Sequence, residues 1–117
     1  MPPEIDKTDR IRLMHMLDAA RQALEFSASR NRASLDTDAM YRRAMISCIQ
    51  EIGEAAVRVT EPTRQKVTEL PWKQIVGMRH RLVHVYFDVN LDLVWEVVEK
   101  DLAPLVKCLE GVLESKS

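Results

Sequence analysis

Tyr41-Arg42-Arg43-Ala44-Met45-Ile46-Ser47-Cys48-Ile49-Gln50-Glu51-Ile52-Gly53-Glu54-Ala55-Ala56 decides the fold class of this chain. Apolar residues recur in it every three or four positions, the period of an α-helix. They fall on two stripes. One is Ala39, Ile46, Ile49, Gly53 and Ala56; the other is Tyr41, Met45, Cys48, Ile52, Ala55 and Val59. The polar remainder is narrow: Arg43, Ser47, Gln50, Glu54 and Arg58. A helix that is apolar on two sides is a central one, packed on both flanks or giving one flank to a second subunit. The spacing predicts it over residues 37–59, with Asp36 as its cap.

Upstream, Asp6 or Thr8 can cap a first helix reaching Ser29, with Leu13, Leu17, Ala20, Leu24 and Ala28 on one stripe. His15 lies off that stripe and reads as solvated. The polar run from Ser29 to Ser34 reads as a loop. Downstream, Pro62 and Pro71 each suit a first helical position. The helix expected from Pro71 carries Trp72, Ile75, Val76, Leu82 and Val83 on one face, with Arg79 in its middle. Asp88-Val89-Asn90 reads as a turn, and Asp88 or Asn90 can cap a last helix to Glu114. The stripe of that helix is Leu91, Trp95, Val98, Leu102, Leu105, Leu109 and Val112, and Pro104 should kink it near Lys100 and Asp101. Val83 to Phe87 is the one β-prone run, too isolated to build a sheet. The expected fold is therefore all-α: an antiparallel bundle of about five helices, one domain over residues 1–117.

Composition narrows the function. Hydrophobic residues at 46% and charged residues at 30% give a globular chain rather than a disordered one. A net charge of −1 supplies no global basic field, so any RNA binding must come from a local cluster. Cys48 and Cys108 are far apart on predicted apolar faces and read as buried, reduced thiols. The N-terminus shows no apolar signal region and no apolar run is long enough to span a bilayer, so a cytoplasmic protein without membrane contact is expected. There is no Gly-rich phosphate loop, metal-ligand spacing or nucleophile elbow, and no cofactor or metal is expected. Glu51 and Glu54, one helical turn apart, read as surface or structural carboxylates. Met14, Met16, Met40, Met45 and Met78 read as core or interface filler.

The chemistry concentrates in Met78-Arg79-His80-Arg81-Leu82-Val83-His84-Val85-Tyr86-Phe87-Asp88, flanked by residues that read as core. Charged and titratable groups beside a core are costly unless solvated, paired or working. Arg79-His80-x-x-x-His84-x-Tyr86 resembles the Arg-x4-His-x-Tyr motif of the HEPN superfamily, and more closely the HepT-like toxins. The stretches Leu13 to Ala20, Glu51 to Ala56, Pro71 to Arg79 and Tyr86 to Trp95 are similar to the same family in the same order. The resemblance runs from about Asp9 to the C-terminus. One departure is Val85, where members often carry Gly; it bears on the local backbone and on access to Tyr86.

The resemblance implies a homodimer in which both copies of the motif meet at a two-fold interface, and an RNA substrate. It also implies a partner, a small nucleotidyltransferase antitoxin that adds AMP to Tyr86, placing bulk and negative charge beside the site. On an ideal helix Arg79 and His84 point about 140° apart and sit about 7.5 Å apart along the axis. Either the helix ends or distorts before His84, or the site takes one residue from each of two chains. Metal-free RNA cleavage needs a base for the ribose 2′-hydroxyl and an acid for the leaving 5′-oxygen, and imidazole serves both near neutral pH. Arg79 is then the phosphate-stabilising group, His84 the proton-transfer group, and His80 and Arg81 auxiliary phosphate contacts.

Each residue also has a structural use. Arg79 can pair a buried carboxylate such as Glu51 or Glu54, His84 can cap or fill the core, His80 and Arg81 can be a solvated face, and Tyr86 can be an interface aromatic. The alternative function is a non-catalytic HEPN module that lends substrate or nucleotide affinity to a nucleotidyltransferase.

Overall fold

The computed structural model describes residues 4–78, 81, 83–85 and 88–114. Asp6 starts α1 (Lys7–Phe26): its carboxylate accepts the Thr8 and Asp9 N–H groups, which have no partner inside the helix. The stripe of α1 is buried at Leu13, Met16, Leu17, Ala20 and Ala23, with Leu24 half-buried. The helix stops three residues short of Ser29, so Ala28 is exposed and off the stripe. His15 is exposed, as expected.

The stretch read as a loop contains one extra turn, α2 (Ser34–Thr37), before the central helix α3 (Ala39–Arg58). The cap of α3 is Asp38 rather than Asp36, because Asp36 belongs to α2 and pairs with Arg32 at 3.0 Å. The Tyr41 N–H donates to Asp38 Oδ1 at 3.1 Å. All six residues of the Tyr41 to Val59 stripe are buried, and so are Ile49, Gly53 and Ala56 of the other, while Ala39 is exposed. This matches a helix flanked on both sides: α3 packs on α1 and α2, on α5 (Trp72–Val76) and on α6 (Leu91–Glu96). Against α1 it runs antiparallel, Ser27 meeting Tyr41 at one end and Asp9 meeting Thr60 at the other.

Gly53 lets α5 close on α3. A Cβ there would lie 3.4 Å from the Ile75 carbonyl oxygen, room for Ala and for nothing longer. Gly53→Ala should hold or raise stability by up to about 1 kcal/mol through helix propensity. Gly53→Leu should lower it by about 1–3 kcal/mol through overpacking, measured by urea unfolding of both variants.

The short α4 (Glu61–Lys66) carries Pro62 one position later than expected, and Pro71 caps α5 from outside rather than opening it. Arg64 of α4 donates to Ala56 O and Val59 O, carbonyls at the C-terminal end of α3, and lies 5.5 Å from the Trp72 ring centroid. The Trp72 indole N–H donates to Val67 O at 2.8 Å. These contacts fix where α5 begins.

After α5 the helix does not run on to His84. A two-stranded antiparallel hairpin forms instead, β1 (Val83–Val85) with β2 (Asp88–Val89). The run judged too isolated for a sheet thus finds its partner close by, Val85 pairing with Asp88 three residues on. Val83 sits on a strand and not on a helical face, and Asp88 and Val89 form a strand rather than a turn.

Asn90 caps the following helix, accepting the Leu93 N–H at 3.1 Å. From Leu91 the chain is helical to Glu114, but it widens to π geometry over Val97–Asp101 between α6 and α7 (Leu102–Glu114). The Leu102 N–H reaches back five residues to Val97 O. Pro104 has no N–H for the Lys100 carbonyl, and its ring would crowd that carbonyl in a regular α-helix. The irregularity expected at Lys100 and Asp101 is this wider turn. Leu102, Leu105, Leu109 and Val98 are buried; Leu91, Trp95 and Val112 are half-buried. α7 packs on α1.

The fold is all-α apart from the short hairpin, with Met16, Met45 and Met78 in its core and Met14 and Met40 exposed. Among the described residues no helix is long and apolar enough to cross a membrane.

Candidate functional site

The motif segment is built from three pieces. Gly77 ends α5, its N–H bonded to Lys73 O at 3.0 Å. Beyond it the Arg81 N–H donates to Gly77 O at 3.2 Å. Then comes β1. The helix ends before Val83, which is one of the two solutions to the 140° separation that a continuous helix would impose on Arg79 and His84.

Backbone pairing places His84 at an irregularity. Val83 pairs with Val89 and Val85 with Asp88, so β1 carries one more residue between the paired positions than β2 does. His84 is that residue. A bulge breaks strict alternation and is a recurrent device beside active sites. Arg79, His80 and Tyr86 lie outside the described residues, as does any contact between them and His84.

Arg81 is exposed and stands on the rim of a cavity of about 150 Å³. The floor is apolar: Ile52 from α3, Ile75 from α5, Met78 from the motif turn, and Leu102 and Leu105 from the last helix. Gln74, Lys100 and Asp101 share the rim with Arg81. Partial desolvation pushes the Asp101 carboxyl above its ordinary value and Glu96 adds to this, while Arg81 and Lys100 oppose it. Arg81 thus works electrostatically on Asp101, a link that the sequence spacing of twenty residues does not announce.

The ends of the motif segment are anchored. Arg32 Nε donates to Asp92 Oδ1 at 2.8 Å, joining the α1–α2 connection to the first turn of α6, just beyond the hairpin. The entry is fixed by Trp72 and Arg64. Glu51 and Glu54 are both exposed on α3. Cys48 is buried and Cys108 half-buried in the cavity wall, both free; burial pushes both thiols up. Among the described residues no three His, Cys, Asp or Glu side chains are grouped closely enough to share a metal ion.

Among the described residues, the buried charged group is one the sequence did not single out. Asp9 is 1% exposed, and its carboxylate accepts the Thr60 N–H at 3.1 Å and the Thr60 and Thr63 hydroxyls. It closes the N-terminus of α4 from the first turn of α1 and has no part in the motif. Its partners lie more than fifty residues away, so no local pattern could have found it.

Comparison with known proteins sets the segment in a family. The family model described as "Ribonuclease HepT-like" matches residues 16–112. "Putative RNase TTE0752" of Caldanaerobacter subterraneus subsp. tengcongensis is 32% identical over 110 residues, covering 94% of this chain and 98% of its own. "Putative RNase MJ1380" of Methanocaldococcus jannaschii is 32% identical over 100 residues, 86% of this chain and 92% of its own. "Probable ribonuclease HepT" of Thermococcus cleftensis is 32% identical over 62 residues, 53% of this chain and 56% of its own. No solved structure matches the chain. With a family model over most of its length and relatives matched nearly end to end, the chain belongs to the ribonuclease HepT-like family.

Proposed function

We propose that this chain is a metal-independent endoribonuclease and the toxin of a toxin–antitoxin pair. It acts as a homodimer with Arg79 and His84 at a composite site, and is silenced when a nucleotidyltransferase partner adds AMP to Tyr86. The observation that carries the reading is family membership over residues 16–112 with Arg79-x4-His84-x-Tyr86 intact inside the match. A helix that ends before Val83 and a bulge at His84 support it, because they remove the geometric objection to the two residues acting together.

The reaction is a transesterification. An imidazole takes the 2′-hydroxyl proton, the 2′-oxygen attacks phosphorus, and the bond to the 5′-oxygen breaks as that oxygen receives a proton. Arg79 neutralises the charge gathered on the phosphate oxygens in the five-coordinate state. The products are a 2′,3′-cyclic phosphate and a free 5′-hydroxyl. Two copies of His84, one from each subunit, give the base and the acid.

The test is incubation of bulk cellular RNA with purified protein in EDTA, with end-group analysis of the products. Cyclic phosphate ends are expected. No cleavage by protein whose intact mass shows unmodified Tyr86 would favour the other reading, a binding module for a nucleotidyltransferase. Val85, at the position where Gly is frequent, is the feature that keeps that reading in play.

A further inference from the structure

The cavity beside the motif turn has no role in that mechanism. It is about 150 Å³, and an apolar cavity of that size takes one ring-sized group. Its walls come from opposite parts of the chain: Gln74, Ile75 and Met78 on the motif side, and the last helix on the other. Met78 and Arg81 both line it, and Arg79 and His80 are the two residues between them. The cavity is therefore lined by residues that stand, in sequence, one before and two after the residue assigned to the reacting phosphate.

The π turn shapes the far wall. A regular helix offers one face at steps of three and four, and Val97, Lys100, Asp101, Pro104, Leu105 and Cys108 follow that rule. Leu102, three residues before Leu105 on α7, lines it too. The wider turn over Val97–Asp101 contributes Val97, Lys100 and Asp101 to this wall.

The chemistry of the lining is that of a base site. The floor is apolar, suited to the face of a ring. The rim offers an amide at Gln74 and a carboxyl at Asp101, an assortment of donors and acceptors that matches the edge of a nucleobase and not a plain hydrocarbon. Two cations, Arg81 and Lys100, stand on the same rim, where the phosphates on either side of an inserted base would pass; Glu69 is the other acid there. Sequence-specific RNA recognition works mainly on unstacked, single-stranded bases received in this way.

We propose that this cavity receives one unstacked base of the RNA substrate, with its ring on Ile75, Met78 and Leu105, its polar edge toward Gln74 and Asp101, and Arg81 and Lys100 on the flanking phosphates. The inference rests on the ribonuclease reading and deepens it: the cavity sets which nucleotide lies beside the cut.

Binding tests it without using cleavage. His84→Ala protein is titrated with fluorescein-labelled single-stranded RNA in which one abasic residue is walked along the strand. One abasic position is expected to weaken binding about tenfold or more. The same abasic effect should vanish when Gln74→Trp is added, which fills the mouth from an exposed position with little disturbance of the core. A second variant, Asp101→Ala, should level the preference among the four bases at that position. Equal affinity for every abasic strand, a penalty that persists in Gln74→Trp, or no RNA binding at all would overturn the proposal. Tight binding of free AMP or GMP without any abasic effect would assign the cavity to a nucleotide ligand instead. Failure of the ribonuclease reading shows separately, as absence of cleavage in EDTA by the wild-type protein.

Discussion

His84→Ala is expected to lower the rate of RNA cleavage in EDTA by about 10²–10⁴-fold, the range for loss of a general acid or base. Arg79→Ala should cost a similar factor by removing the charge that meets the five-coordinate phosphate. Arg79→Lys should recover only part of it, since a point charge replaces a planar fork that can hold two oxygens at once. The wild-type rate should be bell-shaped in pH around the ordinary imidazole range near ~6.5, because one copy must be neutral and the other protonated. If both copies of His84 serve one site, a mixed dimer of wild-type and His84→Ala subunits should be as inactive as the His84→Ala homodimer. Activity near half that of wild type in that mixed dimer would place the proton-transfer groups of a site on a single chain.

Asp9→Ala should lower folding stability by about 3 kcal/mol and Tm by roughly 10 °C, with no direct effect on the chemistry. The change removes a buried carboxylate that accepts three hydrogen bonds and strands the Thr60 N–H and the hydroxyls of Thr60 and Thr63. Asp9→Asn keeps the shape and should cost less. The pH dependence has a definite sign. Burial alone would raise the carboxyl, but the Thr60 and Thr63 hydroxyls, the Thr60 N–H and the nearby Arg12 together hold it below its ordinary value of 3.8. A lowered folded value means that the stabilisation is present above the unfolded value and is lost as pH falls through the folded one. The difference in unfolding free energy between wild type and Asp9→Ala should therefore be constant near neutrality and shrink below about pH 4. A difference that grew on acidification would contradict the assignment.

The parts of this molecule that were readable beforehand are those written in local period. The Tyr41 to Val59 stripe came out buried at every position because a 20-residue helix repeats its signal five times over. Pro104 announced an irregularity at Lys100 and Asp101 because a missing N–H acts four residues back, whatever the surroundings. The cap of α3 lies two residues later than read because Asp36 and Asp38 are equivalent as sequence; Asp36 falls inside the extra turn α2, where it pairs with Arg32 four residues back, and Asp38 caps α3. The hairpin escaped for a related reason. Val83-His84-Val85 alternates over three residues, too few to outweigh the helical pattern on both sides, and its stability depends on a pairing with Asp88 and Val89 that propensity does not register. The motif was legible as a resemblance, and its local backbone was not. The cavity joins residues from α3, α5 and the last helix, so nothing in linear order points to it.

The π turn has a consequence for how this chain can change in length. A π turn holds one residue more than the α turn it replaces while leaving the following helix in the same rotational phase. Removal of one residue between Val97 and Asp101, together with loss of Pro104, would leave Leu105, Leu109 and Leu113 facing α1 as they do now. The same deletion anywhere later in the helix would turn every residue beyond it by about 100° and carry the stripe out of the core. Relatives with a regular helix here should accordingly align with a one-residue gap between positions 97 and 101, and with a residue other than proline where this chain has Pro104.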